Sequence, residues 1–406
     1  MSIRKLAYPT IIAFSGRVGI YLAGFAFNFM IANALSPAGF GKFSTTMAAS
    51  EFMTIFLTLG SGLLIYRSTY ESKSVPIKTI AGILAVGLAM IAIPYIGIVK
   101  YFPDWSSYTQ YAVIIAFGLS LSGLLLQSLR ALNWINLVIY EPFARQILYI
   151  IAIFAVSFGS ATGAIGLETA FLCMIFGTTL GAALILALSI ARANLNYLTP
   201  QTRPSEYLSL LFAAICSYVN RKGDILLLSV LVSSSAIASI KIALLISEIP
   251  FQFVQNLYIQ HANVFNSARS DQQARRASMI QLMVWSVIIS ATALLILPLF
   301  SKYVWPKLDF ATFVPQLLAY YFMRTLLLPV EQRLVMANHP KLLVGVSFIS
   351  ALVKICVLAI AVSNFDLFGI NAYPLIGLAE VVVVEAIFRM SLGDSYLKWC
   401  FGRTKI

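Results

Sequence analysis
The sequence predicts an all-α polytopic membrane protein of about twelve transmembrane helices in two six-helix lobes, with both termini cytoplasmic. Three observations predict it. Of 406 residues, 60% are hydrophobic and 11% charged, and the mean hydropathy is +0.88, whereas a soluble domain carries about 25% charged residues. Apolar runs recur at 10–35, 42–65, 79–99, 109–129, 139–158, 165–190, 208–231, 237–259, 279–300, 312–330, 342–362 and 370–388, against the roughly 20 residues that a span needs. Finally, the cations between these runs sort onto alternate connections. One side holds Arg4, Lys5, Arg67, Lys73, Lys78, Arg130, Arg145, Arg192, Arg203, Arg269, Arg275, Arg276, Arg333, Lys341, Arg389, Lys398, Arg403 and Lys405, the other only Lys42, Lys100, Lys302 and Lys307. Cytoplasmic loops collect Lys and Arg, so this bias sets the orientation and favours an even number of spans.

The elements follow in order. Arg4 and Lys5 precede the first run, which ends Ala32-Asn33-Ala34 like a small-residue cleavage site. A signal peptide has an apolar stretch of about 7–15 residues. This one is longer and carries Arg17, so an uncleaved first span is expected. Pro94, Pro250, Pro298, Pro329 and Pro374 fall inside runs, which membrane helices tolerate. The longest cytoplasmic connections, 191–207 and 260–278, suggest a lobe over 1–195, a linker over 196–207 and a second lobe over 208–406. A faint repeat supports the division. Gln127–Asn133 closes the fourth run as Arg333–Asn338 closes the tenth, and Ser50-Glu51 parallels Ser247-Glu248. Internal repeats of this kind are common in transporters.

Composition also narrows function. The net charge of +13 follows from the loop bias and needs no nucleic-acid partner. Cys173, Cys216 and Cys356 lie in apolar runs, Cys400 lies beyond the last, and none forms a CxxC pair. All four are expected to be buried thiols, with no disulfide and no metal. The chain shows no Walker A loop, no HExxH and no spacing that argues for a Ser/His/Asp triad. With no long outer loop either, an enzyme is not expected.

The informative residues are ionisable groups at membrane depth. Each costs a few kcal/mol at the bilayer centre, so each is expected to face a wet cavity or a packed interior. The cations are Arg17, Arg221, Lys222, Lys241, Arg324 and Lys354; the anions are Glu51, Asp224, Glu248, Glu380 and Glu385, with Glu168 near a helix end. Arg17, Tyr21, Gly24 and Asn28 share one helical face, as do Ser347, Ser350 and Lys354. Such stripes fit a cavity wall or polar contacts between helices. Arg221 and Asp224, three residues apart, can neutralise each other, and Glu385 and Arg389, four apart, form an expected surface pair. Fixed positive charge in a low-dielectric cleft attracts anions, and the planar fork of Arg suits phosphate. Glu51, Glu248 and Glu380 could exchange protons or sodium, or could simply pair with the buried cations.

Three tracts carry a resemblance. Ala34-Leu35-Ser36-Pro37-Ala38-Gly39-Phe40-Gly41-Lys42-Phe43, after the Arg17-bearing first span, resembles the first-to-second helix junction of the Wzx-type oligosaccharide flippases of the multidrug/oligosaccharidyl-lipid/polysaccharide (MOP) exporter superfamily. Arg130-Ala131-Leu132-Asn133 resembles that family's fourth-to-fifth helix turn, and Gly223-Asp224-Ile225-Leu226-Leu227-Leu228 a tract of its seventh helix. Ser239-Ile240-Lys241 departs from the family's G-x-Y. The resemblance implies two six-helix lobes around a central cavity and alternating access in the bacterial inner membrane. It implies flipping of an undecaprenyl-pyrophosphate-linked oligosaccharide to the periplasmic face. Implied partners are that lipid, the bilayer, and a polysaccharide polymerase with its chain-length regulator; no cofactor is implied beyond H+ or Na+ coupling. On this reading Arg17, Asn28, Arg221, Lys222, Arg324 and Lys354 contact substrate, while Glu51, Asp224 and Glu248 couple or gate. The alternatives are an ion-coupled exporter of small molecules and a membrane enzyme of polysaccharide assembly.

Overall fold
The computed structural model describes residues 3–101, 103–159, 165–194, 204–266, 272–330, 340–363, 372–393 and 395–401. Every apolar run contains a helix. In chain order these are α1 (Ile3–Ala34), α2 (Pro37–Thr58), α3 (Gly62–Ser72), α4 (Ile77–Tyr101), α5 (Pro103–Ala131), α6 (Ile135–Gly159), α7 (Leu167–Ile190), α8 (Pro204–Arg221), α9 (Asp224–Ser229), α10 (Ser234–Asn266), α11 (Gln272–Leu299), α12 (Val314–Leu326), α13 (Pro340–Ser363), α14 (Ala372–Leu392) and α15 (Tyr396–Phe401). Among the described residues, six helices are long and apolar enough to cross a membrane, and α2 with α3, bent by 48°, makes a seventh. Lipid offers no partner to backbone N–H and C=O groups, so each spanning segment closes its own hydrogen bonds as a helix.

Two expected helices are broken. The second run divides into α2 and α3 at Leu59-Gly60-Ser61, and the seventh divides into α8 and α9 at Lys222-Gly223. The chain also resolves into two compact units, Met1–Tyr218 and Val219–Ile406, so the division falls within α8.

In the first unit α5 packs against α2, α3, α4, α6 and α7, and α1 lies on α6. Its core joins Leu57, Ile65, Ile83, Leu84, Ala116, Leu124, Leu129 and Ile185. An aromatic group of Phe27, Phe43, Tyr149 and Phe171 fills the contacts among α1, α2, α6 and α7, with ring centroids 5.4–6.1 Å apart. The connections after α3 and α7 are clipped together by a two-residue parallel ladder, Val75 with Ala193 and Pro76 with Asn194.

In the second unit α12 is central, touching α10, α11 and α14, while α13 packs on α14. Val254, Met279, Leu282, Val346, Val384, Phe388 and Tyr396 form its main apolar cluster. Where lipid replaces water, small residues and van der Waals fit hold helices together. Gly377 illustrates it: a Cβ there would lie 2.9 Å from the Met323 side chain.

Two expectations are corrected here. Cys356 is exposed on α13, whereas Cys173, Cys216 and Cys400 are buried; an apolar residue of a membrane helix can face lipid as readily as protein. Arg145, assigned to a loop, lies inside α6.

Candidate functional site
The site is built where the seventh apolar run breaks. Arg221-Lys222-Gly223-Asp224 interrupts an otherwise apolar helix. A Cβ on Gly223 would lie 2.7 Å from the Cα of Val219, so only glycine lets the chain turn this tightly against the end of α8. Helical bonding resumes where the Leu227 N–H donates to the Gly223 carbonyl at 2.9 Å. A helix end leaves carbonyls without intrahelical partners, and the second unit supplies them for Asn220.

Three side chains converge on that one carbonyl oxygen. Arg324 Nη1 donates to it at 2.8 Å, Lys354 Nζ at 3.1 Å and the Tyr320 hydroxyl at 3.3 Å. The Asn220 amide donates in turn to the Ser347 carbonyl at 2.9 Å. Lys354 also pairs with Asp224 Oδ1 at 2.8 Å. Both cations lie over the buried ring of Tyr320, each 5.6 Å from its centroid, and the guanidinium also sits 5.7 Å from the Phe251 ring. The negative end of the α8 dipole favours cations at this position. Glu380 on α14 is buried within electrostatic reach of Arg324, Lys354 and Asp224. Its Oε1, Asn220 Oδ1 and the Tyr373 hydroxyl have no hydrogen-bond partner among the described residues.

Asp224, Arg324 and Lys354 are thus brought together, on three separate helices, and Asp224 pairs with Lys354 rather than with Arg221. Arg221 and Lys222 stand exposed at the break. Glu248 is half-buried on α10 and accepts from Gln252 Nε2 at 2.7 Å. The other expected residues belong to the first unit. Asn28 spends its amide on the Gly24 carbonyl at 2.7 Å, Glu51 is half-buried on α2, and Arg17 belongs to α1 with its side chain outside the described residues. Arg333–Asn338, half of the proposed repeat, also lies outside the described residues. The expected surface pair is present, with Arg389 Nε 2.7 Å from Glu385 Oε1.

The sequence reading missed one charged group altogether. Glu141 on α6 is buried, accepts from Ser122 Oγ at 3.1 Å and lies 3.5 Å from Arg145 Nη1. Gly181 on α7 makes room for it, since a Cβ there would stand 3.3 Å from Glu141 Oε1. The signal was present: a Glu and an Arg four apart inside the fifth apolar run.

Helix packing of this kind defines a multi-pass membrane protein with the fold of MOP superfamily transporters. Lipid II flippase MurJ in an inward closed conformation superposes with a TM-score of 0.68, covering 96% of this chain and 90% of that one at 12% identity. The MATE multidrug transporter DinF-BH superposes with a TM-score of 0.62, covering 99% of this chain and 98% of that one at 16% identity. For the eukaryotic MATE transporter AtDTX14 the TM-score is 0.59, with 98% and 97% covered at 13% identity. No protein-family model and no curated protein matches the chain.

Proposed function
We propose that this protein is a flippase for an undecaprenyl-pyrophosphate-linked oligosaccharide, the repeat unit of an O-antigen or exopolysaccharide. It works in the bacterial inner membrane by alternating access among twelve spans, with both termini cytoplasmic and no chemistry performed on the substrate. The observation that carries the reading is the exposed Arg221–Lys222 pair at a helix break, in a fold shared with a lipid II flippase. Cations at membrane depth are costly against lipid, so this pair faces a polar path. A pyrophosphate offers the complementary charge, and the Arg fork can bind two of its oxygens at once. Arg17 and Asn28 complete the proposed substrate set, and Arg324 and Lys354 stand behind the break that carries Arg221 and Lys222.

Coupling belongs to the carboxylates Glu51, Asp224 and Glu248, and Glu380 lies within electrostatic reach of Asp224. Of these, Asp224 can exchange a proton or sodium only after Lys354 lets go of it. Glu380 keeps one oxygen free of hydrogen bonds.

Export of small molecules is the second reading, favoured by the likeness to MATE transporters. The two part experimentally. The gene is deleted in its host, and the leaflet holding completed lipid-linked units is read with a membrane-impermeant probe. Units trapped on the cytoplasmic side, released by the wild-type gene but not by Arg221→Ala, are expected. Units that reach the periplasm unpolymerised point to an assembly enzyme, and an unchanged glycan with altered drug susceptibility to an exporter.

A further inference from the structure
We propose that Arg324 and Lys354 are positioning residues: they hold the carboxyl end of α8 and so place Arg221 and Lys222, which touch the anionic headgroup. This rests on the flippase reading above and deepens it by dividing its cations into two kinds.

The first kind is spent inside the protein. Lys354 is 0% exposed, and its ammonium is engaged by Asp224 Oδ1 and the Asn220 carbonyl. A phosphate could reach it only by displacing a carboxylate already at 2.8 Å. Arg324 gives Nη1 to the same carbonyl and lies against two aromatic faces. Together with the Tyr320 hydroxyl, three donors share an oxygen that has two lone pairs, so that acceptor is saturated. The charges of Arg324 and Lys354 are offset by Asp224 and Glu380, leaving little field to draw an external anion.

The second kind is presented outward by the first. Asn220 is fixed at both ends, its carbonyl to α12 and α13 and its side chain to the Ser347 carbonyl of α13. Arg221 and Lys222 follow it directly and are exposed, and Gly223 closes the turn. The direction taken by these two residues is therefore set by Arg324 and Lys354. If the donors to Asn220 are lost, the break loses its registration against α12 and α13, and the outer pair moves.

The test uses the full-length protein in proteoliposomes, in a Cys356→Ser background that removes the exposed native thiol. Single cysteines at 221, 222, 324 and 354 are challenged with a membrane-impermeant thiol reagent, with and without undecaprenyl pyrophosphate. Arg221→Cys and Lys222→Cys are expected to label, and the lipid to slow labelling about tenfold, the factor that corresponds to a 1.4 kcal/mol contact. Arg324→Cys and Lys354→Cys are expected to resist labelling. Adding Lys354→Met should change the labelling rate of Arg221→Cys by about tenfold. Adding Arg324→Lys, which keeps a donor to Asn220, should leave that rate within about twofold of the starting protein. Monodisperse elution screens each variant for folding. Labelling of 324 or 354 with lipid protection equal to that of 221 overturns the positioning role while sparing the flippase reading. So does an unchanged rate at 221 in Lys354→Met. Absence of lipid protection at all four positions, with no flipping by the unsubstituted protein, overturns the flippase reading itself.

Discussion
The break between α2 and α3 is neutral, whereas the break between α8 and α9 is charged, and each finds its hydrogen-bond partners at a different range. At the first, Leu59 and Gly60 both take left-handed backbone angles, φ 50° and 64°. The Leu59 N–H bonds the Phe56 carbonyl at 3.1 Å, the Ser61 N–H bonds the Thr58 carbonyl at 2.8 Å, and Ser61 Oγ donates to the Thr58 carbonyl as well. Every partner lies three residues away. At the second, the partners of the Asn220 carbonyl stand 100, 104 and 134 residues along the chain. A locally satisfied break keeps its shape whatever its neighbours do. A break satisfied by other helices shifts when they shift.

The strongest way to break this comparison is at Lys354. Lys354→Met leaves Asp224 buried and unpaired, and loss of one partner of a buried pair costs about 3–5 kcal/mol. The expected outcome is a large fall in thermal stability in detergent. Lys354→Met combined with Asp224→Leu should fall far less than the two single losses added, because the double variant strands no charge. An additive result would mean that the pair does not hold the break.

Glycine substitutions come next and reverse the order of the two breaks. Gly60→Ala meets left-handed strain of about 1–2 kcal/mol, and its Cβ would lie 2.8 Å from the Leu210 carbonyl carbon. Gly223 has φ −66°, so Gly223→Ala adds only overpacking, about 1–3 kcal/mol. Unfolding scans should therefore rank Gly60→Ala as the more damaging. The reverse ranking would mean that the charged break is the stiffer of the two.

A smaller effect is expected at Glu141, the buried carboxylate of the unit that holds the neutral break. Glu141→Gln keeps an acceptor for Ser122 but removes the charge facing Arg145, at a cost of about 1–3 kcal/mol. The least effect is expected for Arg389→Ala. Its partner Glu385 also accepts from the Leu397 N–H at 2.9 Å, and exposed pairs contribute about 0.2–1 kcal/mol. A melting temperature indistinguishable from that of the unsubstituted protein is expected there.

The apolar helices could be read from the chain because a bilayer imposes one length and one composition on a span. Glu385 with Arg389 was legible too, since a helix brings residues four apart together. That same rule misdirected Asp224 towards Arg221, its neighbour at three residues. Arg221-Lys222-Gly223-Asp224 concentrates three charges and a glycine in an apolar run, enough to announce a break but not to say what fills it.

Residue order alone specifies the number, place and polarity of the apolar runs, because a helix in lipid closes its hydrogen bonds locally. Packing between helices specifies the rest: that Lys354 meets Asp224, that Arg324 and Tyr320 meet the Asn220 carbonyl, and that Arg221 and Lys222 are left exposed. Those contacts join α8, α9, α12 and α13, and helical periodicity fixes no register between one helix and another.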